Sequence, residues 1–146
     1  MKMRTILLVE DNSGDVELTK RALLKCNIKA KLDVAEDGAE ALDYLFCRGA
    51  FADRQPCNPP VLVLLDLNLP KIGGIDVLKQ IRANSITCRL PVVVLTSSKE
   101  AVDLISAYDN GVNSYVRKPV DFNQFAEAIK YLGHYWLETN EPPPAV

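Results

Sequence analysis

The stretch 61-VLVLLDLNLP-70 decides the fold, because five consecutive apolar residues are followed at once by the carboxylate of Asp66. A short apolar run bounded by prolines indicates a strand that is buried on both faces, as in parallel sheets covered by helices. Asp66 then ends that strand, and ligand chemistry in open α/β sheets gathers outside the carboxyl ends of the strands. A lone Asp could equally cap the next turn, so the rest of the chain has to decide between these interpretations.

Four further strands and five helices are predicted around this central strand. The apolar and alternating runs place strands at residues 5–9, 31–35, 61–65, 91–96 and 113–117. Helices are expected at about 13–25, 38–46, 75–83 and 100–109, with a last helix that begins after Asp121. Strict alternation of strand and helix predicts a doubly wound α/β sheet, and the commonest five-stranded solution is the flavodoxin-like order 2-1-3-4-5. One domain over residues 1–137 and a Pro-rich tail over 138–146, expected to be disordered, complete the chain.

Length and charge exclude several classes of function. A chain of 146 residues fits one domain, and a net charge of −2 supplies no basic field for nucleic acid or an anionic membrane. No apolar run is long enough to span a bilayer and no signal peptide is visible, which favours the cytoplasm. The four cysteines form no CxxC pair, so reduced thiols are expected rather than a zinc or redox site.

Polar side chains stand at the ends of four of the predicted strands. Glu10 and Asp11 follow the first strand, Asp66 the third, Thr96 ends the fourth and Lys118 follows the fifth. In the order 2-1-3-4-5 these strands are neighbours, so their ends share one edge of the sheet. Three carboxylates in one hollow repel each other unless a cation neutralises them, and oxygen ligands without His or Cys suit Mg²⁺.

The same edge carries the groups that phosphoryl transfer needs. Lys118 offers a positive point charge for phosphate, and the hydroxyl of Thr96 can donate to a phosphoryl oxygen. Carboxylates serve as nucleophiles toward phosphoryl groups, and catalysis there is mainly positioning and charge neutralisation. Asp66 is the predicted nucleophile, because it ends the most central and most apolar strand.

Four motifs in this order resemble the receiver domain of bacterial response regulators: 8-LVEDN-12, 66-DLNLP-70, 96-TSS-98 and 115-YVRKP-119. The resemblance covers residues 4–137 and implies a CheY-like fold in which Asp66 accepts phosphate from a sensor histidine kinase. It implies that Mg²⁺ is held by Glu10, Asp11, Asp66 and the backbone carbonyl of Asn68. It also implies that Thr96 and Tyr115 form a switch pair, that Lys118 contacts the phosphoryl group, and that the Lys118–Pro119 peptide bond is cis.

A narrower resemblance is to the single-domain regulators that pair with cyanobacterial phytochromes. It depends on the long segment 47–60, on 12-NSGD-15 and on the aromatic run 134-HYW-136. It implies a phytochrome as the kinase, and a signal passed on by protein contact or onward phosphotransfer to a target that the sequence does not identify.

Three other functions are alternatives to a phosphoacceptor receiver domain. A receiver-like module that only binds partners and is never phosphorylated is the first alternative. A haloacid dehalogenase type of enzyme is the second, but it needs a second Asp where Asn68 stands. A flavodoxin-like electron carrier is the third, but it needs a phosphate-binding loop where Glu10 and Asp11 stand.

Several residues outside the strand ends have their own predicted roles. Asp15 lies in the first turn of a helix, where an acid favours the helix dipole; a place near the metal is the alternative. Tyr131 and Tyr135 lie four residues apart, off the apolar stripe of the last helix, and together with Trp136 they mark a possible homodimer face. The segment 47–60 is either an exposed ordered loop or a site where a partner docks.

Overall fold

The computed structural model describes residues 3–54 and 59–144. Five strands and five α-helices alternate along these residues. The strands are β1 (Thr5–Val9), β2 (Lys31–Ala35), β3 (Leu62–Leu65), β4 (Val92–Thr96) and β5 (Ser114–Arg117). The helices are α1 (Ser13–Lys25), α2 (Gly38–Leu45), α3 (Gly74–Ala83), α4 (Ala101–Asp109) and α5 (Phe122–His134). The predicted elements are therefore confirmed, with bounds that differ by a residue or so at some ends.

The five strands form one parallel sheet in the order β2-β1-β3-β4-β5, which confirms the predicted topology. The weakly alternating strand β2 lies at an edge and only its last residue, Ala35, is buried. Every residue of β3 and β4 is buried, because helices cover both faces of the sheet at its centre. This burial on both faces explains why the sequences of β3 and β4 are almost continuously apolar.

Two apolar cores lie on opposite faces of the sheet. The side chains of β3 alternate between them: Val63 and Leu65 join the core under α2, α3 and α4, whereas Leu62 and Leu64 join the core under α1 and α5. The stripe on α5 predicted from helical spacing packs into the second core through Phe125, Ala126 and Ile129. Successive strand residues point to opposite faces, so one continuous apolar run serves both cores.

Helix starts follow local capping chemistry. The side chains of Asn12, Asp37 and Asp121 each accept a hydrogen bond from a backbone N–H in the first turn of α1, α2 and α5. Such caps satisfy donors that a helix start leaves unpaired. The cap by Asn12 also fixes where α1 begins, directly beyond the carboxyl end of β1.

The chain after α5 remains close to the domain. A π-helical turn over Tyr135–Thr139 continues α5, so helical structure runs two residues beyond the predicted boundary at 137. The Arg4 guanidinium donates a hydrogen bond to the carbonyl of Leu137, and Pro142, Pro143 and Pro144 line a cavity at the amino-terminal edge of the sheet. The predicted disorder of the tail in solution stays a prediction.

One predicted backbone feature is wrong. No cis peptide bond occurs in the described parts of the chain, so the bond before Pro119 is trans and not cis. Trans is the intrinsically favoured isomer by about 0.5–1 kcal/mol even before proline. Lys118 nevertheless reaches the acidic residues with the trans bond in place.

Part of the segment 47–60 is described. A single 3₁₀ turn spans Gly49–Phe51, and the ring of Phe51 packs edge-to-face on Tyr44 of α2, with centroids 5.3 Å apart. Residues 55–58, which include Cys57, lie outside the described residues. Within the described residues, no helix combines the length and the apolar character needed to cross a bilayer.

Candidate functional site

The first feature of the site is a group of three carboxylates at the carboxyl ends of β1 and β3. These strands pair in register with Val9 beside Leu65, so the residues that follow them emerge side by side. One carboxylate oxygen from each of Glu10, Asp11 and Asp66 lies within 4.8 Å of the others. Glu10 and Asp66 are buried, whereas Asp11 is exposed. The structure therefore brings together the three acids that the sequence placed at these strand ends.

Lys118 completes the site from β5. Its backbone N–H donates to the carbonyl of Thr96 at 2.8 Å, which continues the pairing of β4 with β5 and directs the chain toward the acids. The Lys118 ammonium contacts Glu10, lies 2.9 Å from Oδ2 of Asp15 and lies 3.5 Å from Oδ2 of Asp66. A single, partly buried cation is thus shared by three carboxylates.

The electrostatics of the site show the cost of burying like charges. Burial, together with the nearby Asp66 carboxylate, raises the pKa of Glu10 to about 7 despite the hydrogen bond from Lys118, which lowers it. Burial alone would lower the pKa of Lys118, but its hydrogen bonds to Glu10 and Asp15 hold that pKa above its usual value. The acids are therefore poised to bind additional positive charge.

The donor set fits a hard divalent cation. All three clustered side chains offer carboxylate oxygens, and neither His nor Cys belongs to the cluster. Oxygen ligands of this kind suit Mg²⁺, Mn²⁺ and Ca²⁺ better than softer metals. Asn68 is exposed two residues beyond Asp66, and its N–H donates to Oδ1 of Asp66 at 3.3 Å. These observations indicate a divalent metal site.

The loop after Asp66 is packed too closely to admit a side chain at Gly74. A Cβ atom there would lie 2.4 Å from the carbonyl oxygen of Asp66 and 2.6 Å from Cα of Leu67. The Gly74 N–H also donates to the carbonyl of Leu67 at 3.1 Å. The start of α3 therefore supports the backbone that presents Asp66.

The predicted switch residues lie on one side of the acids. Thr96 is fully buried, and its Oγ1 accepts a hydrogen bond from the N–H of Ser98 at 3.3 Å. Tyr115 is half-buried and its hydroxyl lies 3.5 Å from the carbonyl of Ser98. Ser98 in turn donates to Oδ2 of Asp103 on α4 at 2.6 Å. Ser98 thus links both predicted switch residues to α4.

The aromatic residues of the predicted dimer face are far along the chain from the acids and close to each other. Tyr131 is 67% exposed and Tyr135 is 48% exposed, which supports their placement off the packed stripe. Trp136 is half-buried against the second core, and its ring meets Tyr135 edge-to-face at 4.9 Å. Two of the three residues are therefore open to solvent.

The sequence interpretation missed one residue of the site. Asp15 was assigned to the helix dipole, with a place near the metal as the alternative, yet the structure places its carboxylate against the Lys118 ammonium. The signal was available in principle, since Asp15 follows the Asn12 cap by three residues, in the turn of α1 that faces the strand ends. Its partner could not be read from the sequence, because the contact joins residues 103 positions apart.

Comparison with known proteins agrees with this geometry. The family model for the response regulator receiver domain matches residues 6–130, which is most of the chain. The chain belongs to the response regulator receiver family. As a receiver domain it has a phosphoacceptor role in two-component signalling.

Three similar proteins refine the comparison. Response regulator Rcp1 of Synechocystis is 37% identical over 142 residues, which cover 97% of this chain and 95% of Rcp1. The crystal structure of the phosphorylated cyanobacterial phytochrome response regulator RcpA has a TM-score of 0.90 and 36% identity, covering 98% of this chain and all of RcpA. The bacteriophytochrome response regulator AtBRR is 50% identical with a TM-score of 0.77, covering 97% of this chain and all of AtBRR.

One of these relatives bears on the metal. Rcp1 has also been solved in a Mn²⁺-bound form, with a TM-score of 0.88 and 36% identity over 97% of this chain and 99% of Rcp1. The acid cluster found here is consistent with a divalent metal site in this chain as well.

Proposed function

We propose that this protein is a response regulator that accepts a phosphoryl group on Asp66 from a sensor histidine kinase. One observation carries the proposal: the Lys118 ammonium and the clustered acids converge on Asp66 at the end of the central strand. That combination provides a nucleophile, a fixed positive charge and a cation site within one hollow. Alternatives that need only a protein-binding surface do not require it.

Phosphoryl transfer to Asp66 is a substitution at phosphorus. An ionised oxygen of Asp66 attacks phosphorus, an O–P bond forms, and the N–P bond to the donor histidine breaks. The bond's electron pair stays with the imidazole nitrogen, so no oxidant or reductant is involved. Lys118, whose ammonium lies 3.5 Å from Oδ2 of Asp66, would contact a phosphoryl oxygen. The hydroxyl of Thr96, at the end of β4, would donate to another.

We further propose Mg²⁺ as the metal, held by Glu10, Asp11, Asp66 and the carbonyl of Asn68. When bound, Mg²⁺ supplies positive charge that offsets the negative charge of the phosphoryl group in transfer and in hydrolysis. The carboxylate-only donors and their spacing support this choice. The protein would thereby assist its own phosphorylation and dephosphorylation.

A direct test uses intact mass after incubation with acetyl phosphate. The wild type should gain one phosphoryl group only when Mg²⁺ is present, and Asp66→Asn should gain none. Asp109→Asn, which changes an exposed acid at the end of α4, serves as the matched control and should behave like the wild type. An Asp66→Asn protein that is phosphorylated as fast as wild type would contradict the assignment, and no gain by any variant would favour the interaction-only alternative.

The kinase we propose is a phytochrome. The likeness to RcpA, Rcp1 and AtBRR along nearly the whole chain supports this choice. Purified phytochrome kinase, autophosphorylated with labelled ATP, should transfer its label to this protein within minutes and to Asp66→Asn not at all. Faster transfer from a kinase without a chromophore-binding domain would contradict the pathway. The downstream target and a cytoplasmic location stay predictions.

Phosphorylation is proposed to act on a switch formed by Thr96 and Tyr115. Thr96 would move toward the phosphoryl group and Tyr115 would turn inward, so that phosphorylation biases an existing two-state equilibrium. The shared contact with Ser98 supports a common readout at α4. Tyr115→Ala should accept phosphate but lose the dependence of partner binding on phosphorylation; an unchanged dependence would overturn this role.

A homodimer is proposed through the face that carries Tyr131, Tyr135 and Trp136. The exposure of the two tyrosines supports it, since exposed aromatics on one face favour protein contact. Sedimentation of the wild type should give a dimer that Tyr131→Ser with Tyr135→Ser weakens. A monomer at high concentration, with and without phosphorylation, would count against it.

A further inference from the structure

The Lys118 ammonium is surrounded by carboxylates from three separate elements. Glu10 follows β1, Asp66 follows β3, and Asp15 lies in the first turn of α1. An ammonium has three N–H donors, so the contacts with these acids occupy all of them. Two of these partners, Glu10 and Asp66, also belong to the acid cluster, whereas Asp15 does not. Asp15 is the partner that the proposed metal binding and phosphoryl transfer do not use.

The other two partners of Lys118 are expected to change when the site is used. Under the proposed function, Glu10 and Asp66 give oxygen lone pairs to a divalent cation, and Asp66 also receives the phosphoryl group. The positive charge of Lys118 is then close to another cation and is repelled by it. A long, flexible lysine without a fixed partner would turn away, and its contact with the phosphoryl oxygen would be lost.

We infer that Asp15 is a positioning residue that keeps Lys118 in the site when Glu10 and Asp66 bind the cation; this inference rests on the proposed function. Asp15 is well placed because its own backbone is fixed. Its N–H donates to the side chain of Asn12 at 3.0 Å, and its carbonyl accepts from the hydroxyl of Thr19 at 2.8 Å. Its carboxylate is about two-thirds buried and lies 2.9 Å from the Lys118 nitrogen.

Two simpler roles for Asp15 make different predictions. As a helix-dipole acid it would affect only the stability of α1. As a metal ligand it would affect metal binding whether or not Lys118 is present. As a partner of Lys118 it affects metal binding only while Lys118 is present. Its effect is to bind the Lys118 ammonium once Glu10 binds the metal ion instead. A double-mutant cycle separates these roles.

The experiment measures Mn²⁺ affinity by calorimetry for the wild type, Asp15→Asn, Lys118→Met and the double variant. Asp15→Asn should weaken Mn²⁺ binding about fivefold or more when Lys118 is present and by less than about twofold in the Lys118→Met background. Equal weakening in both backgrounds would overturn the inference, as would no weakening in either. A wild type that binds no Mn²⁺ would overturn the proposed function and this inference with it.

Two further variants control for charge and folding. Glu17→Gln removes the same charge from an exposed position of α1, where Glu17 pairs with Lys20 at 3.6 Å, and should leave Mn²⁺ affinity unchanged. Asp15→Glu keeps the carboxylate and should recover most of the affinity lost in Asp15→Asn. The metal-free stability of Asp15→Asn should match that of Glu17→Gln, because Glu10 still holds Lys118. If Asp15→Asn were so unstable that its unfolded fraction accounted for the weaker Mn²⁺ binding, the inference would be overturned.

Discussion

The two ends of the central strand β3 differ in chemistry: charged side chains surround its carboxyl end, and a cavity lined by prolines adjoins its amino end. At its carboxyl end, Asp66 enters a cluster of buried or partly buried charges with Glu10 and Lys118. At its amino end, Pro60 and Val61 line a cavity of about 350 Å³. Four further prolines line the same cavity: Pro91, which precedes β4, and Pro142, Pro143 and Pro144 of the tail. Both ends belong to one strand and share one sheet, so the difference lies in the loops that meet there.

The two ends therefore contribute differently: the carboxyl end carries the proposed chemistry, and the amino end stabilises the fold. At the carboxyl end, burial and then the nearby Asp66 carboxylate raise the pKa of Glu10, which is a cost to the folded state that a bound cation relieves. At the amino end, the prolines that line the cavity and the backbone carbonyls bonded to Arg82 contribute stability. Changes at the amino end should therefore weaken the fold while sparing the chemistry, and changes at the carboxyl end should alter metal or phosphate binding.

The largest effect on stability is expected from Arg82→Ala near the amino-terminal edge. The Arg82 guanidinium donates to the carbonyls of Cys88, Leu90 and Gly111 and to the side chain of Asn113, so it ties together the loops before β4 and β5. Its removal takes this donor from the three carbonyls and from Asn113, whose Oδ1 keeps the hydrogen bond from the N–H of Val92. The loss should cost about 2–4 kcal/mol in the free energy of unfolding. Urea unfolding measures this cost, and the acetyl phosphate assay should show unchanged phosphorylation of the folded fraction.

Lys79→Ala is the matched control for Arg82→Ala. Lys79 is an exposed cation on the same helix, and its loss should change the free energy of unfolding by less than about 0.5 kcal/mol. If Arg82→Ala were as stable as Lys79→Ala, or if it blocked phosphorylation of folded protein, the division between the two ends would fail.

A smaller loss of stability, with a loss of function, is expected from Gly74→Ala. The added methyl would meet the backbone of Asp66 and Leu67 at less than 3 Å, so the loop must shift. Overpacking of this kind costs about 1–3 kcal/mol, and Mn²⁺ affinity should fall because Asp66 moves. Gly73→Ala is the control, since no atom lies within 4 Å of its Cβ position and its φ of −65° suits alanine. Equal behaviour of the two variants would show that Asp66 is not held by this contact.

The smallest effect concerns pH. The pKa of Glu10 is about 7 in the folded protein against an ordinary value of 4.5, so the folded state binds more protons between these values. The stability of metal-free protein should therefore fall as pH rises, by about 1 kcal/mol between pH 6 and pH 8. Urea unfolding with a chelator present measures this, and Glu10→Gln should remove the slope. A slope that persists in Glu10→Gln would arise from other groups.

The sequence was sufficient where a local pattern has one physical meaning. Apolar runs such as 61-VLVLL-65 indicate burial on both faces, so the central strand and the position of Asp66 at its end followed from them. The strand order followed from the alternation of strands and helices. The start of the last helix after Asp121 was equally legible, because its capping bond is made within three residues. The switch pair was placed by resemblance and the dimer face by the spacing of its aromatic residues, and the roles of both remain predictions.

Where the sequence was insufficient, the deciding contact is long-range or nearly balanced in energy. The pairing of Asp15 with Lys118 brings the first turn of α1 to the residue that follows β5, which no local pattern encodes. The isomer before Pro119 depends on a difference of about 1 kcal/mol, and the family resemblance gave the wrong one. The cavity at the amino end depends on the tail returning to Arg4, which composition alone could not indicate.

The most direct test of the central claim is to locate the phosphoryl group chemically. Borohydride reduces an aspartyl phosphate to homoserine, which peptide mass spectrometry can place in the sequence. Protein treated with acetyl phosphate and Mg²⁺ should yield homoserine at Asp66, within residues 55–71, and at no other acid. Homoserine at Asp11 or Asp15, or a phosphoryl group on a residue that borohydride does not reduce, would contradict the account.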